Sequence, residues 1–434
     1  MENTDREYKI GFIGLGYAGF PMACLFSKKY KVKGFDLSQR RVKELQKKID
    51  HCGDVADEDI RKMFENGAVI TNNLADLKDC NVYIVAVPTP VDKNFKPDIT
   101  YISNASSEVG SILKKGDIVV FESTVYPGAT EEICVPVMEE VSGLKFNKDF
   151  FVGYSPERIN PGDREHTPQN MVKVTSGSTP EASAIINEIY SNVLGDDLTY
   201  PVSSIKVAEA CKVVENTQRD VNIAFINEIS KVLNEFGIDT NEVIDAMNTK
   251  WNALGFRPGL VGGHCIGVDP YYLIEKAKDK NVDTKLISTA RKVNNTMAEY
   301  VVDKVVNELH KRLGPDLKNA RVLILGFTFK ENCPDLRNTK VYDVYKDLKK
   351  ITQHVQIYDP MVDNELARGL YNINVNTKLR HITKHKYDAV VLCVSHDNFR
   401  DLNLKDLLTE KGFVYDIKGF FPHSMEKFVD IERI

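Results

Sequence analysis

The sequence predicts an α/β protein with two doubly wound, parallel-sheet units joined by a long central helix and a helical linker region. Three observations support this fold class. Short apolar runs, typical of buried strands, alternate with helical stretches over about the first 200 residues. A long helical pattern then starts at Ser203 and runs towards Gly237. Strand-like runs return from Ala320 onward, which gives the order α/β, helical, α/β.

The first strand, Tyr8 to Gly14, leads directly into the pattern Gly14-x-Gly16-x-x-Gly19 and a helix. Here the first glycine permits a tight turn, the second lets backbone N–H groups approach a pyrophosphate, and the third allows close helix packing. Asp36 ends the second strand about 20 residues after Gly16, where its carboxylate can accept hydrogen bonds from an adenosine ribose. This pattern predicts a Rossmann-type dinucleotide site, and the acid favours NAD over NADP, whose 2′-phosphate it would repel.

Three later strands of the first unit each end in a polar loop. The loops are Pro88-Thr89-Pro90, Glu122-Ser-Thr124 and Ser155-Pro-Glu157-Arg158. Ligands of open parallel sheets lie over the carboxyl ends of the strands. We therefore expect the three loops to converge on the nicotinamide and the reacting carbon.

The central helix carries two faces of interest. Ser203 or Ser204 is expected to cap it, and Lys212, Asn216 and Arg219 follow at i, i+4 and i+7 on one face. That face is either solvated or, because the helix links two α/β units, part of a site. An apolar face is expected either to pair two subunits or to pack within the chain; it comprises Ile205, Ala208, Val221, Ala224 and Ile229.

The third region repeats the rhythm of the first, with strands at Ala320 to Gly326, Val355 to Asp359 and Asp388 to Val394. No second glycine fingerprint follows Gly326, and Lys330 stands there instead, which suits a nucleotide phosphate of another kind. We expect three domains: an NAD-binding domain at 1–200, a central helical domain at 201–312 and a second Rossmann-like domain at 313–434.

Composition excludes several classes of function. The 434 residues are 42% hydrophobic and 27% charged, as expected for a globular protein of two or three domains. The net charge of -5, with bases and acids interleaved, argues against nucleic acid as a partner. No apolar run approaches the roughly 18 residues of a membrane span, and the polar amino terminus argues against secretion, so a cytoplasmic location is expected. Eight scattered cysteines without a C-x-x-C pair argue against a metal site or a disulfide framework.

Cys265 stands in an unusual loop, with Gly259, Gly262, Gly263 and Gly267 around it. Such glycines give backbone freedom, exposed N–H donors and close approach to a ligand. A nearby Asp269 can hold a proton or orient water, and a nearby cation such as Lys212 would favour the thiolate. This setting favours a nucleophilic cysteine over a structural one.

Seven motifs occur in order along the chain. They are Gly14-x-Gly16-x-x-Gly19, Val87-Pro-Thr-Pro90, Glu122-Ser-Thr124, Ser155-Pro-Glu157-Arg-Ile-Asn-Pro-Gly162, Ala210-Cys-Lys212-Val-Val-Glu-Asn216, Phe256-Arg-Pro-Gly-Leu-Val-Gly-Gly-His-Cys265-Ile-Gly-Val-Asp269-Pro, and Phe329-Lys330 with Asp335-x-Arg337. With them, the chain resembles the UDP-glucose/GDP-mannose dehydrogenase family over nearly its whole length. Within the family it is most similar to the UDP-N-acetylhexosamine 6-dehydrogenases of the UDP-N-acetylglucosamine type.

The resemblance implies a four-electron oxidation of a sugar-nucleotide primary alcohol to a carboxylate, with two NAD+ consumed, for surface polysaccharide synthesis. In that scheme Cys265 adds to an aldehyde, and the thiohemiacetal is oxidised to a thioester that water hydrolyses. Lys212 and Asn216 would stabilise the oxyanion at C6. Asp269 and Glu157 would handle protons and the hydrolytic water, which Thr124 would help to hold.

The resemblance also implies that the 313–434 domain binds the sugar nucleotide and that the 201–312 domain carries the catalytic Cys265 loop. Two sets of contacts are implied as well. The implied cofactor contacts are Gly14, Gly16, Tyr17, Ala18, Gly19, Asp36, Arg41, Pro88, Thr89, Thr124 and Arg337. The implied substrate contacts are Glu157, Arg158, Lys212, Asn216, Arg219, Arg257, Gly262 and Lys330. Arg219 and Arg257 are alternatively ordinary surface arginines, and His264 either acts as a general base or only shapes the loop. Family analogy favours a homodimer.

One departure bears on the substrate. UDP-glucose members of the family commonly have Cys-x-x-Lys-Asp, whereas this chain has Val268 between Gly267 and Asp269. With Glu215, Arg219 and the Arg158-Ile-Asn-Pro-Gly run, this favours a sugar with a 2-acetamido group. UDP-N-acetylglucosamine is the first expectation. UDP-N-acetylmannosamine, UDP-N-acetylgalactosamine and UDP-glucose stay open, because a few loop residues decide between such sugars.

Two other classes of function compete with this one. A noncatalytic NAD-binding sensor would keep the glycine fingerprint without needing Cys265, Lys212 and Asp269 together. A two-electron hydroxyacid dehydrogenase would share the three-part layout but would release one NADH per substrate.

Overall fold

The computed structural model describes residues 7–50, 55–92, 94–159 and 165–434. The chain divides into two compact units: the first runs to Glu215 and also contains Tyr271–Val282, and the second contains Asn216–Pro270 and Asp283–Ile434. In the described part of the chain, no helix has the length and apolar character that crossing a membrane requires.

The first unit is built on an eight-stranded sheet in the order β3-β2-β1-β4-β5-β6-β7-β8. Neighbouring strands are parallel except β6 and β7, which are antiparallel. The order from β3 to β6 is that of a doubly wound sheet, as the sequence predicted. The strands are β1 (Lys9–Ile13), β2 (Lys31–Phe35), β3 (Val69–Thr71), β4 (Val82–Val85), β5 (Asp117–Phe121), β6 (Phe150–Tyr154), β7 (Lys173–Gly177) and β8 (Thr199–Pro201).

Helices flank this sheet, so its central strands are apolar throughout. Every residue of β4 and β5 is buried, which explains why these strands read as continuous apolar runs rather than as alternating ones. The helices that begin in the first unit are α1 (Gly19–Phe26), α2 (Gln39–Gln46), α3 (Asp57–Glu65), α4 (Thr100–Ile112), α5 (Val135–Ser142), α6 (Pro180–Leu194) and α7 (Ile205–Glu235).

The turn between β1 and α1 needs two of its glycines for the fold itself. Gly14 has φ +91°, and its N–H donates to the Phe35 carbonyl at 2.9 Å. A Cβ at Gly19 would stand 2.0 Å from the Gly14 carbonyl oxygen. The turn and helix-packing roles predicted for the first and third glycines are therefore confirmed.

Helix α7 begins where the sequence predicted it. The Ser204 hydroxyl accepts the Val207 N–H at 3.3 Å, as an N-cap residue does. The predicted apolar face is largely used inside the chain, because Ile205, Ala208 and Ala224 are all buried. Val221 and Ile229, the other two residues of that face, are partly buried.

A buried acid of α7 holds the turn that follows the Thr124 loop. The Glu209 carboxylate accepts the N–H groups of Gly128 and, at 2.9 Å, Thr130. Burial raises the pKa of Glu209 to about 7, although these hydrogen bonds work in the opposite direction. The main chain after β5 is thus fixed by a side chain from the central helix.

The second unit contains a five-stranded parallel sheet in the order β10-β9-β11-β12-β13. Its strands are β9 (Arg321–Leu325), β10 (His354–Tyr358), β11 (Tyr387–Leu392), β12 (Leu408–Asp416) and β13 (Ile431–Arg433). The remaining helices are α8 (Thr240–Asn248), α9 (Asp269–Lys278), α10 (Lys285–Asn295), α11 (Met297–Leu313), α12 (Val341–Ile351), α13 (Asn364–Tyr371) and α14 (Leu404–Leu407). All of them lie in the second unit except α9, which belongs to the first unit from Tyr271 onward. Together the two sheets confirm the predicted fold class of two Rossmann-type units and a long central helix.

The two sheets use the same link between a strand-end acid and a glycine turn. Asp36, after β2, accepts the Leu15 N–H at 2.9 Å, and Asp359, after β10, accepts the Phe327 N–H at 2.7 Å. Asp359 is fully buried and also lies 2.9 Å from Nε2 of His396. Asp359 therefore interacts with protein groups in the interior, whereas Asp36 is only partly buried.

Candidate active site

The structure brings the three polar loops of the first unit together at one edge of the sheet. The Ser123 hydroxyl accepts the Val87 N–H at 2.9 Å, and the Tyr154 hydroxyl donates to the Ser123 carbonyl at 3.1 Å. Glu122 turns inward and is fully buried beside Tyr190 and Lys173. The loops are adjacent as predicted, but Glu122 stabilises their base and does not line the site.

Within these loops the predicted contact residues differ in exposure. Thr89 and Thr124 are partly buried and Pro88 is exposed, so all three remain accessible to a ligand at the sheet edge. The Tyr272 hydroxyl donates to the Pro90 carbonyl at 3.0 Å and so holds the first loop in place.

The glycine turn fits a dinucleotide. A Cβ at Gly16 would meet no atom within 4 Å, so the packing of the protein itself does not demand glycine there. Bare backbone in open space at a helix start is what a pyrophosphate requires. Tyr17 and Ala18 complete the turn and are partly buried.

The acid and the arginine of the adenosine side flank this turn. Asp36 accepts the Leu15 and Ser38 N–H groups, one on each carboxylate oxygen, and each oxygen keeps a further lone pair. Arg41 donates from Nε to the Leu15 carbonyl at 2.8 Å and pairs with Asp50 at 2.8 Å. These residues fit NAD, which supplies a hydride acceptor when bound.

The first unit also holds a buried pair of opposite charges. Lys212 of α7 donates from Nζ to the Glu157 backbone carbonyl at 2.6 Å and lies 3.6 Å from its carboxylate. Both side chains are buried, so each charge is held in a medium where it acts more strongly than in water. Arg158 bonds to Glu215 and, at 2.7 Å, to the Val172 carbonyl.

The last three residues of the predicted Ser155 to Gly162 motif, at positions 160–162, lie outside the described residues.

In the second unit, Asn216 lies between an acid and a guanidinium. Its Nδ2 donates to the Asp269 carboxylate at 2.5 Å, and its Oδ1 accepts from Arg219 at 2.8 Å. The acceptor-only carboxylate and the donor-only guanidinium fix which way the amide points. Asp269 is 2% exposed, and the hydrogen bond from Asn216 offsets part of the free-energy cost of burying its carboxylate.

The Cys265 loop precedes α9 without strand or helix structure of its own. The Cys265 carbonyl accepts the N–H groups of Val268 at 3.0 Å and Asp269 at 2.8 Å, which begins the turn into the helix. The thiol is partly buried and forms no disulfide.

Two glycines of this loop are needed for close packing inside the protein. A Cβ at Gly262 would stand 2.8 Å from the Asn338 carbonyl oxygen. Gly263 has φ +81°, and its Cβ would lie 2.8 Å from the Phe329 ring. The loop therefore lies directly against residues 329–340, which include the predicted Lys330 and Arg337. The sequence predicted that these glycines allow close approach of a ligand, and in the structure Gly262 and Gly263 allow close approach of other protein residues.

Arg337 and His264 meet at a shared acid. The Arg337 guanidinium donates to Asp335 at 2.5 Å and lies 3.4 Å from Nε2 of His264, whose Nδ1 is 3.7 Å from the same acid. Burial would raise the pKa of Asp335, but the Arg337 contacts and the His264 charge lower it overall.

The remaining predicted substrate residues are spread over the second unit. Lys330 is partly buried in a turn where the Thr328 hydroxyl donates to its carbonyl at 2.9 Å. Arg257 donates to Asn241 at 3.1 Å and pairs with Asp245, contacts that are those of an ordinary ion-paired arginine.

Sequence reasoning missed a buried polar network behind the Cys265 loop. Asp220, Asn227, Arg291 and Asn294 are at most 3% exposed, and Asn227 binds the Gly259 backbone. The signal was present, because Asn216, Asp220 and Asn227 recur at helical spacing on α7, where buried polar residues need partners.

Comparison with known families accounts for most of the chain. Three models of the UDP-glucose/GDP-mannose dehydrogenase family match in order: the NAD binding domain at residues 8–194, the central domain at 206–296 and the UDP binding domain at 323–423. The chain belongs to the UDP-glucose/GDP-mannose dehydrogenase family. It is accordingly an NAD-dependent dehydrogenase, and its matched regions include a UDP-binding domain.

Individual relatives with more specific names are also similar to the chain. The chain is 49% identical to UDP-N-acetyl-D-glucosamine 6-dehydrogenase of Pseudomonas aeruginosa, over 95% of this chain and 97% of that protein. It is 46% identical to the protein of the same name from Salmonella typhi, over 96% and 97%. Among solved structures, the UDP-D-ManNAc dehydrogenase of Pyrococcus horikoshii has a TM-score of 0.88 at 27% identity, covering 98% of this chain and 99% of that one.

The glycine turn gives a first prediction. Gly16→Ala should leave thermal stability unchanged, since the new Cβ meets no protein atom, but should weaken NAD binding roughly tenfold or more, or about 1.4 kcal/mol. Isothermal titration with NAD+ measures the affinity. Gly369→Ala, which also adds a Cβ in open space, is the matched control. Unchanged affinity in Gly16→Ala would show that the pyrophosphate binds elsewhere.

The Cys265 loop gives a second prediction. Gly263→Ala should lower stability by roughly 1–3 kcal/mol, because its backbone is left-handed and its Cβ would overlap the Phe329 ring. Gly267→Ala, whose nearest atoms would lie at 3.7 Å, should cost no more than about 0.5 kcal/mol. Urea unfolding of both variants measures the difference. Equal stabilities would contradict the packing described here.

Proposed function

We propose that this enzyme oxidises the C6 primary alcohol of a UDP-N-acetylhexosamine, UDP-N-acetylglucosamine first, to the uronate. The observation that carries the proposal is the 49% identity, over 95% of the chain, to a UDP-N-acetyl-D-glucosamine 6-dehydrogenase. UDP-N-acetylmannosamine, UDP-N-acetylgalactosamine and UDP-glucose are the alternative substrates. The product would supply surface polysaccharide synthesis.

The Gly14–Gly19 turn, with Asp36 and Arg41, would hold NAD+, which would accept the hydride that C6 loses in each of two oxidations. In the first oxidation the C6 alcohol loses a hydride and its hydroxyl proton and becomes the aldehyde. The Cys265 sulfur adds to the C6 aldehyde, and its proton passes to the carbonyl oxygen to give a thiohemiacetal. Oxidation of this adduct gives a thioester on Cys265. Water then attacks the thioester carbon, the carbon–sulfur bond breaks, and the thiol regains its proton as the uronate leaves. In sum, one alcohol, one water and two NAD+ give one carboxylate, two NADH and three protons.

The polar residues of the two units suit the remaining roles. Lys212, held on Glu157, and the second amide proton of Asn216 would stabilise negative charge on the C6 oxygen, a contribution typically worth about 3 kcal/mol per fixed donor. Asp269 and Glu157 would accept protons and orient the hydrolytic water, with Thr124 as a further hydroxyl.

The contacts beyond the reacting carbon follow the resemblance. Arg158, Arg219, Arg257, Gly262 and Lys330 would bind the UDP-sugar. Tyr17, Ala18, Pro88, Thr89 and Arg337 would complete the NAD contacts. The division at 1–200, 201–312 and 313–434 is also part of this proposal, supported by the ranges of the three family models. We place the enzyme in the cytoplasm, where the reaction finds its NAD pool.

A substrate panel tests the proposed reaction. UDP-N-acetylglucosamine should give two NADH per sugar at 340 nm and the highest kcat/KM of the four sugar nucleotides. Cys265→Ala should abolish uronate formation, whereas Cys80→Ala, which alters a buried thiol before β4, should keep it. Mass spectrometry of Glu157→Gln during turnover should find an acyl adduct on Cys265, because release is slowed.

The competing functions predict different outcomes. No NADH with any of the four sugars would favour a noncatalytic sensor. One NADH per substrate, with Cys265→Ala as active as the wild type, would favour a two-electron hydroxyacid dehydrogenase.

We further propose a homodimer. Phe225 and Val232 lie at i and i+7 on α7, and Phe236 follows the last residue of that helix; the three side chains are 58%, 48% and 73% exposed. A row of large apolar side chains left in water is typical of a protein interface. Sedimentation equilibrium should give twice the chain mass, and Phe225→Glu should shift the protein to the monomer. A monomeric wild type would exclude the dimer.

A further inference from the structure

We propose that Asn227 is a positioning residue for the Cys265 nucleophile: with Asp220, Arg291 and Asn294 it forms a buried network that fixes the start of the Cys265 loop. The inference rests on the proposed function in that it takes Cys265 to be the nucleophile. The network lies wholly in the second unit and includes none of the residues assigned above to substrate or cofactor.

The direct contact is a two-point pairing between a side chain and the backbone. Asn227 accepts the Gly259 N–H on Oδ1 at 2.8 Å and donates from Nδ2 to the Gly259 carbonyl at 3.1 Å. An amide paired in this way fixes both the position and the orientation of the peptide units on either side of Gly259. No strand or helix satisfies these backbone groups, because residues 253–262 have no regular structure.

The orientation of the Asn227 amide is fixed by its contact with Asn294. Its second amide proton goes to Oδ1 of Asn294 at 2.9 Å, and Nδ2 of Asn294 donates to the Asp220 carboxylate at 2.7 Å and to its carbonyl at 2.9 Å. A carboxylate only accepts hydrogen bonds, so Asn294 must turn its nitrogen to Asp220 and its oxygen to Asn227. Asn227 then has only one orientation that satisfies every partner.

The network pairs opposite charges and is buried. Arg291 pairs with Asp220, and the four side chains are between 0% and 3% exposed. In such surroundings a flipped or missing amide would leave donors and acceptors unpaired, so the network holds one geometry. Six residues on from Gly259, the loop reaches Cys265. A second contact, from the Gly263 N–H to the Asn338 carbonyl at 3.3 Å, limits how the intervening chain can move.

Asn227→Ala tests this role. The variant should retain NAD affinity but lose roughly 10- to 100-fold in kcat with UDP-N-acetylglucosamine, since displacing a reacting group by about 1 Å can cost that much. The pH profile of Cys265 alkylation by iodoacetamide, followed by peptide mass spectrometry, should also shift. Asn294→Ala should give a smaller change in the same direction, because it frees the Asn227 amide without removing it.

Asn222→Ala is the matched control. It changes the same residue type on the same helix, five positions earlier, where the amide donates only along the helix to the Gln218 carbonyl at 2.8 Å. Its kcat and alkylation profile should match the wild type. A role limited to stability would lower the melting temperature of Asn227→Ala but leave its alkylation profile unchanged.

Wild-type protein provides a test that needs no variant. Hydrogen–deuterium exchange should find the Gly259 amide protected relative to the amides of residues 254–256. A freely exchanging Gly259 amide, or an Asn227→Ala enzyme with wild-type kcat and alkylation profile, would overturn the proposal. Alkylation and exchange do not require turnover. A wild type that makes no NADH would therefore refute the proposed function while leaving the positioning role to be judged separately.

Discussion

One constraint governs the second unit: the Cys265 loop has no strand or helix structure, so contacts with its backbone must fix its shape. The Cys265 loop has too many glycines to hold its own shape, so its geometry comes from what its backbone touches. Gly262 and Gly263 lie against residues 329–340 at distances that exclude a Cβ, and Gly259 is held by an amide of α7. Gly262 and Gly263 are therefore required for packing within the protein.

The central helix contributes several buried polar side chains that hold other segments of the chain. From one continuous helix, Glu209 fixes the turn after the Thr124 loop, Lys212 is held on Glu157, Asn216 holds Asp269, and Asn227 holds Gly259. Each of these buried polar groups is paired, which is the condition for tolerating it away from water. A helix is well suited to this work, because its own backbone needs no further partners.

The two sheets share one local motif, a strand-end acid that binds a glycine turn, in two different environments. In both, an acid at the end of a strand binds the backbone of the neighbouring glycine turn. In the first sheet the acid stays partly exposed beside an open turn, which fits a dinucleotide. In the second it is buried against His396, and the turn carries Lys330 instead. Both sheets have the acid, and they differ in its burial: Asp36 is partly exposed, whereas Asp359 is fully buried.

Sequence alone determined the fold class, the glycine turn at Gly14 to Gly19, the start of α7 and the family, because these depend on local spacing and on motifs read along the chain. It also identified Cys265 and its neighbours as a candidate site. Tertiary structure alone decided that Glu122 points inward, that Ile205, Ala208 and Ala224 of α7 are buried, and that Asn227 meets Gly259. These facts depend on residues far apart in sequence meeting in space. The Asn227 contact is also made to backbone atoms, which are the same at every position, so no side-chain pattern in the sequence signals it.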